Sequence, residues 1–220
     1  MEDSLFMATE QDELSRETER RIQLVARLKS RKRFPHLMPD QAWHPGLDVR
    51  IAALSEDLLA DGRPDGESSA RAWKATLHLL NDSLNAAHEI VEHMDTPTGA
   101  VLHGIVHRRE GDFDNAKYWF HVAGDHPAYH GLQTRAASFL REQSIPRGPL
   151  KEALSQIASQ GSWNPYLFVN AVAIQLNHID EEETLRLLEA IQQLELEAFM
   201  RFLEGRIAAN VREAEDFDER

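Results

Sequence analysis

The 220-residue sequence contains no cysteine, which removes disulfides, thiolate zinc sites, iron–sulfur ligation and cysteine nucleophiles together. Apolar runs are short. The longest, Tyr166 to Ile174, is interrupted by Asn170 and falls well below the roughly 20 residues needed to cross a bilayer. Met1-Glu2-Asp3-Ser4 lacks the basic-then-apolar order of a signal peptide, so the expectation is a cytoplasmic protein without a membrane partner. There is no G-x-x-x-x-G-K-[ST] loop, no G-x-G-x-x-G turn after a strand and no G-x-S-x-G elbow. ATP hydrolysis, dinucleotide redox chemistry and serine hydrolysis therefore find no support. From residue 67 onward the alternation of a half-buried strand is missing as well, and apolar residues return at three- and four-residue spacing, which sets the fold class as all-α.

Charge is plentiful but unevenly placed. A formal net charge of −13 argues against general nucleic-acid binding, since affinity for phosphate comes from concentrated Lys and Arg that release counterions. Yet Arg16, Arg20, Arg21, Arg27, Lys29, Arg31, Lys32 and Arg33 stand against only Glu17 and Glu19, whereas residues 180–220 are strongly acidic. These ends read as solvated helices, as a basic arm for an acidic partner or RNA, or as segments that attract each other.

A chain of this length buries roughly 70% of its unfolded surface and needs no metal or disulfide to fold. Residues 5–33 form a first helix with Leu24, Val25 and Leu28 as its stripe, ended by Pro35 and Pro39. After a loop over 34–46, a short amphipathic helix runs from Leu47 to Leu59, and the turn-forming run Asp61 to Gly66 closes it. That boundary divides an N-terminal helical extension, 1–65, from a helical-repeat domain, 66–220. A last helix from Glu181 places Leu196, Met200, Leu203, Ile207 and Val211 on one stripe, for packing on the body of the domain or for a homodimer.

Self-comparison yields the strongest pattern. Asn81-Asp82-Ser83-Leu84-Asn85-Ala86 and Asp95-Thr96-Pro97 return thirty residues later as Gly111-Asp112-Phe113-Asp114-Asn115-Ala116 and Asp125-His126-Pro127. A helix, a tight turn and a second helix that starts at a capping residue make an αα-hairpin, here used twice. The second copy resembles a tetratricopeptide repeat: Gly104 falls at the helix crossing, Gly111 at the turn, Ala116 and Ala123 at the small positions, Phe120 at the aromatic, and Pro127 one residue early. In the first copy Ala86, Ile90 and Pro97 match, while Lys74 replaces the glycine. Ala153, Ile157 and Pro165 suggest a third unit, whose first helix would be Ala128 to Arg141. A fourth would span Pro165 to Leu194, so the resemblance covers about residues 67–194. It implies an array of antiparallel helical hairpins with extra N- and C-terminal helices. His103 and His107 depart from the family's leucine and tyrosine, and the link after Pro97 is short. The stretch from His103 to Phe120 also resembles one shared by bacterial and fungal proteins, which implies no function.

Two constellations carry chemistry. His103 and His107 are four apart, which sets them about 40° apart on one helix face with Glu110 beside them, and His88 and Glu92 share that spacing on the preceding helix. Were the two helices neighbours, His88, Glu92, His103 and His107 would converge as a nitrogen and oxygen set suited to zinc, iron, manganese or nickel. A hydrogen-bonded polar seam and simple solvent exposure are the plainer readings. No HExxH motif exists, because His88 and His93 are five apart. The second constellation follows from the repeat resemblance, which would line a concave basic groove with Arg71, Lys74, Arg108, Arg109 and Asn115. Such a groove would take an acidic peptide, a carboxylate or another anionic ligand, unless Arg108 and Arg109 merely pair with nearby acids. Tyr118 and Trp119 read as core. Three functions follow: an interaction module that binds a protein segment or anionic ligand, a metal-binding protein or metal-dependent enzyme, and a structural subunit of a complex.

Overall fold

A computed structural model describes residues 2–145, 147–179 and 181–207, with side chains from residue 12 onward. The described residues are helical and irregular, without a strand. Helix α1 (Glu2–Lys29) buries the narrow stripe of Leu24 and Leu28 and ends before Pro35. The segment expected as one helix over 47–59 is two, α2 (Pro45–Ala52) and α3 (Glu56–Ala60). Ser55 breaks it: its hydroxyl accepts from the Leu58 N–H at the start of α3, and its own N–H donates to Glu17 of α1 at 2.6 Å. A capping serine held from outside competes with helix continuation.

Helices α4 (Gly66–Leu80), α5 (Leu84–Val91), α6 (Pro97–Glu110) and α7 (Phe113–Ala123) follow, with α5 packed on α4, α6 on α5 and α7 on α6. Local chemistry sets their ends. Thr96 accepts from Gly99 N–H with Pro97 at the first helical position, Asp112 accepts from Asn115 N–H, and Gly111 stops α6 with φ +82°. A β-carbon on Gly104 would lie 2.8–3.0 Å from three atoms of the Phe120 ring, so α6 and α7 cross where glycine permits it.

Beyond α7 come a 3₁₀ turn (Pro127–Tyr129), α8 (Leu132–Glu142), α9 (Pro149–Ser159), α10 (Pro165–Ile174), a π turn (Gln175–Ile179) and α11 (Glu182–Glu204). The helix expected from Ala128 to Arg141 thus begins later, after Gly131 at φ +75°. The stripe of α11 turns inward: Leu196, Met200 and Leu203 are buried, as is Ile207 just beyond its end, and α11 packs on α4 and α8. Val211 lies outside the described residues.

Helices α4 and α6 are enclosed on nearly every side. Trp73, Leu77 and Leu79 of α4 and Val101, Leu102, Ile105 and Val106 of α6 belong to a cluster that also contains Leu24, Leu37, Leu47, Ile51 and Leu59 from the first 65 residues. A helix surrounded by protein has no solvated face for its polar residues, so each must find a partner inside.

Candidate metal centre

The polar residues of α6 point two ways. His103 and His107, one turn apart, face α5 and α7 and are almost fully buried. Their rings stack on each other, with centroids 4.8 Å apart and planes 16° apart, and His103 stacks in turn on Trp119 of α7 at 4.1 Å. His88 of α5 meets both edge-on, at 4.8 and 4.9 Å. Trp119 therefore forms the inner wall of the site, and its flat contact orients His103.

Nitrogen geometry follows from these ring positions. His88 Nε2 and His103 Nε2 stand 3.0 Å apart, and one ligand nitrogen from each of the three histidines lies within 4.8 Å of the others. Glu110, in the last turn of α6, spans the outer side: Oε1 is 3.0 Å from His88 Nδ1, and Oε2 is 2.9 Å from His107 Nδ1 without the alignment of a hydrogen bond. Asn115 Nδ2 lies 3.1 Å from His107 Nε2.

A carboxylate can only accept, so His88 donates Nδ1–H to Glu110 and turns the lone pair of Nε2 inward, toward His103. His103 Nδ1 is buried and has no partner. Burial, and then the charges that His107 and His88 would carry, hold the His103 imidazole well below its usual range, at about 4. It is therefore neutral near pH 7, the form that ligates metals. Glu110 forms no ion pair with an Arg or Lys among the described residues. The cluster thus sets the neutral imidazole of His103 and two further imidazoles beside a carboxylate with no Arg or Lys partner among the described residues.

Two nitrogens bound cis to one ion at about 2.0–2.1 Å are themselves about 3.0–3.4 Å apart, and the His88–His103 separation of 3.0 Å meets that value. The third donor would close by about 1.4 Å from the outer limit of 4.8 Å to reach the same spacing. The donor set and its spacing fit a small divalent ion of borderline softness.

Glu92 is not part of the cluster. Glu92 caps α5 with its N–H still bonded to the His88 carbonyl at 3.0 Å, so the helical spacing from His88 holds, but its side chain turns to the surface. Glu92 is exposed and lies 3.5 Å from its neighbour His93. The carboxylate beside the histidines is Glu110, which the sequence places one turn beyond His107.

The expected groove residues are dispersed among separate partners. Arg71 pairs with Glu56 and Glu67 at the surface. Lys74 is buried and donates to the carbonyls of Ala52 and Leu54 and to Glu56, joining α4 to the ends of α2 and α3. Arg108 is fully buried, 2.6 Å from Glu195 of α11 and with its guanidinium carbon 4.5 Å from the centre of the Phe168 ring. Arg109 is equally enclosed and donates to Asp82 at 2.5 Å and to the carbonyls of Leu79 and His36. These four cations consequently line no common groove, and Asn115 sits at the histidine cluster instead.

Sequence reasoning missed Trp119 as a wall of the site and the Arg108–Glu195 pair. The signal for the pair is faint: Val101, Leu102, Ile105 and Val106 leave α6 no solvated face, which places the following arginines inside. No family model, no curated protein and no solved structure matches the chain, so the reading of the site stands on its geometry.

Proposed function

We propose that the protein binds one divalent transition metal through His88, His103 and His107, with Glu110 positioning His88 and balancing charge. The observation that carries this reading is the 3.0 Å approach of two inward Nε2 atoms beside a carboxylate with no Arg or Lys partner among the described residues. A nitrogen-dominated set favours zinc, nickel or iron over manganese, which prefers oxygen. Three histidine ligands leave a coordination position for water or substrate, and a metal held there would supply Lewis acidity. Glu110 would hold the His88 tautomer and raise the basicity of the ring, the usual part of a carboxylate behind a metal-bound histidine.

The scaffold is read as tetratricopeptide-like hairpins. The fit of Gly104 against Phe120 and the burial of Ala116 and Ala123 support that reading for α6 and α7. An interaction module with a basic groove has less support, because Lys74, Arg108 and Arg109 are spent on internal partners.

The test is elemental analysis of protein purified without a histidine tag, alongside His88→Gln and Glu110→Gln. About one equivalent of metal per chain is expected, with affinity lowered about 10- to 100-fold when Glu110 loses its charge. His88 is partly exposed, so its replacement should leave the helical content unchanged while metal is lost. Metal-free protein that takes up no added zinc, or His88→Gln retaining full stoichiometry, would refute the proposal.

A further inference from the structure

The basic run at the end of α1 has no role at the histidine cluster. Part of it borders a cleft of about 550 Å³ between α1, α4 and α11, within the roughly 300–1,000 Å³ usual for small-molecule sites. Val25 and Leu28 of α1, Leu77 and Leu80 of α4, and Met200 of α11 supply apolar lining. Phe34, 45% exposed, stands at its border and also lines a second hollow toward α8.

The polar lining is mixed in sign but unequal in freedom. Arg31 is held by Asp82 at 2.5 Å. Glu197 is occupied by Arg135 at 2.6 Å and by Gln193 at 3.0 Å, with Arg201 at 3.8 Å. Glu204 acts on Arg21 and Arg201. Lys29 and Arg33 remain: both are exposed, and neither forms an ion pair with a described residue. A cleft of mixed apolar and polar lining thus carries two uncommitted cations.

We propose that this cleft binds an amphiphilic anion, namely one unbranched acyl or alkyl chain lying along Val25, Phe34 and Leu80 with a singly substituted carboxylate or phosphate head at Lys29 and Arg33. Charge complementarity selects the head. Leu77 and Met200 are themselves buried in the core beneath that lining and make it firm. Lys and Arg offer up to eight N–H donors between them, which satisfies an anionic head but leaves a hydroxyl head with little gain.

The experiment is calorimetric titration of the full chain with saturated fatty acids of 8 to 16 carbons, the matching alkyl phosphates and the matching alcohols, each below its micellar concentration. Each added methylene should tighten binding about fourfold until the cleft is filled, corresponding to about 0.8 kcal/mol per buried CH₂. Acid or phosphate should bind at least about tenfold more tightly than the alcohol, and the tighter of the two anionic heads identifies the source of the ligand. Lys29→Glu with Arg33→Glu lies on exposed positions. It should keep the circular dichroism spectrum and melting temperature while removing the preference for anions. Equal affinity for acid, phosphate and alcohol, an unaltered preference in the double variant, or no binding at any chain length would overturn the proposal. Metal content is not altered by any of these outcomes, so failure here is separable from failure of the histidine site.

Discussion

Gly104 tests the crossing that carries two ligands of the proposed site. In an open helix, glycine to alanine gains about 1 kcal/mol from propensity. Here the new methyl would sit 2.8, 2.9 and 3.0 Å from Cε1, Cδ1 and Cζ of Phe120, whereas ordinary carbon contacts lie near 3.5–4.0 Å. Phe120 is itself 2% exposed, so its ring has little room to withdraw. Overpacking of this kind costs about 1–3 kcal/mol. Gly104→Ala should therefore be neutral to destabilising by about 2 kcal/mol, and Gly104→Leu clearly destabilising. For a chain of this size each kcal/mol moves Tm by about 2–4 °C. The sharper readout is a double-mutant cycle with Phe120→Leu, which removes the far side of the ring: Gly104→Ala should be at least about 1 kcal/mol better tolerated in that background. Thermal unfolding followed at 222 nm measures all four proteins. If Gly104→Ala raises Tm by the full propensity gain and shows no coupling to Phe120, the two helices do not cross at this glycine.

Four further outcomes are expected. Excess zinc at about 100 times its Kd should stabilise the protein by about 2.7 kcal/mol, and chelator should reverse the shift in Tm, with neither effect in His88→Gln. Asp82→Asn should be severely destabilising, by about 3–5 kcal/mol, because it leaves the buried Arg109 and the nearly buried Arg31 without their shared carboxylate. Arg71→Ala, at a surface pair, should stay within about 1 kcal/mol by urea unfolding. Stability should also fall in acid through His126, whose Nδ1 accepts from Ala128 N–H while Nε2 meets Thr98 Oγ1. Burial, and then Arg206, lower its pKa to about 4. Between the usual 6.5 and about 4 the unfolded chain binds a proton that the folded chain does not, so this contribution is complete above about 6.5. It is lost as pH falls, by up to about 1.4 kcal/mol per unit. Urea titrations of His126→Gln from pH 7.5 to 4.5 should show a shallower loss than the parent protein, and an equal loss would remove His126 as a cause.

The helical character, the turns at Asn81-Asp82 and Gly111-Asp112 and the convergence of His88, His103 and His107 were legible because each rests on local spacing. Caps, a glycine at φ > 0 and four-residue periodicity act within one turn of the chain. Glu92 keeps its helical spacing from His88, but spacing fixes only where a side chain starts, and this exposed carboxylate lies beside His93 instead. Ser55 split a segment of uniform periodicity because Glu17, 38 residues earlier, holds its N–H. Arg108 and Arg109 look like surface cations by residue type, and their partners Glu195 and Asp82 lie 87 and 27 residues away. Nothing in local spacing points to those pairings.

Charge balance distinguishes the two polar faces of α6. Arg109 donates to Asp82, which Arg31 shares, and to two carbonyls, and Arg108 is matched by Glu195, so each buried cation touches a buried anion. Replacing such a pair by apolar side chains of similar volume is often neutral or stabilising, whereas removing one partner is costly. These pairs consequently act as joints between α6, α11 and the Asn81–Ser83 turn. On the opposite face the sign does not close. His103 stays neutral by burial, His88 directs Nδ1–H at Glu110, and the carboxylate finds no Arg or Lys of its own among the described residues. A cation held by the three imidazoles would give Glu110 the opposite charge that each arginine of the other face already meets. The discriminating variant is Glu110→Lys, which supplies a positive charge without a metal. If the deficit of charge is what the metal corrects, Glu110→Lys should lower zinc affinity beyond the loss seen in Glu110→Gln while melting no lower than metal-free parent protein. Equal zinc affinity in the two variants would assign Glu110 to hydrogen bonding alone.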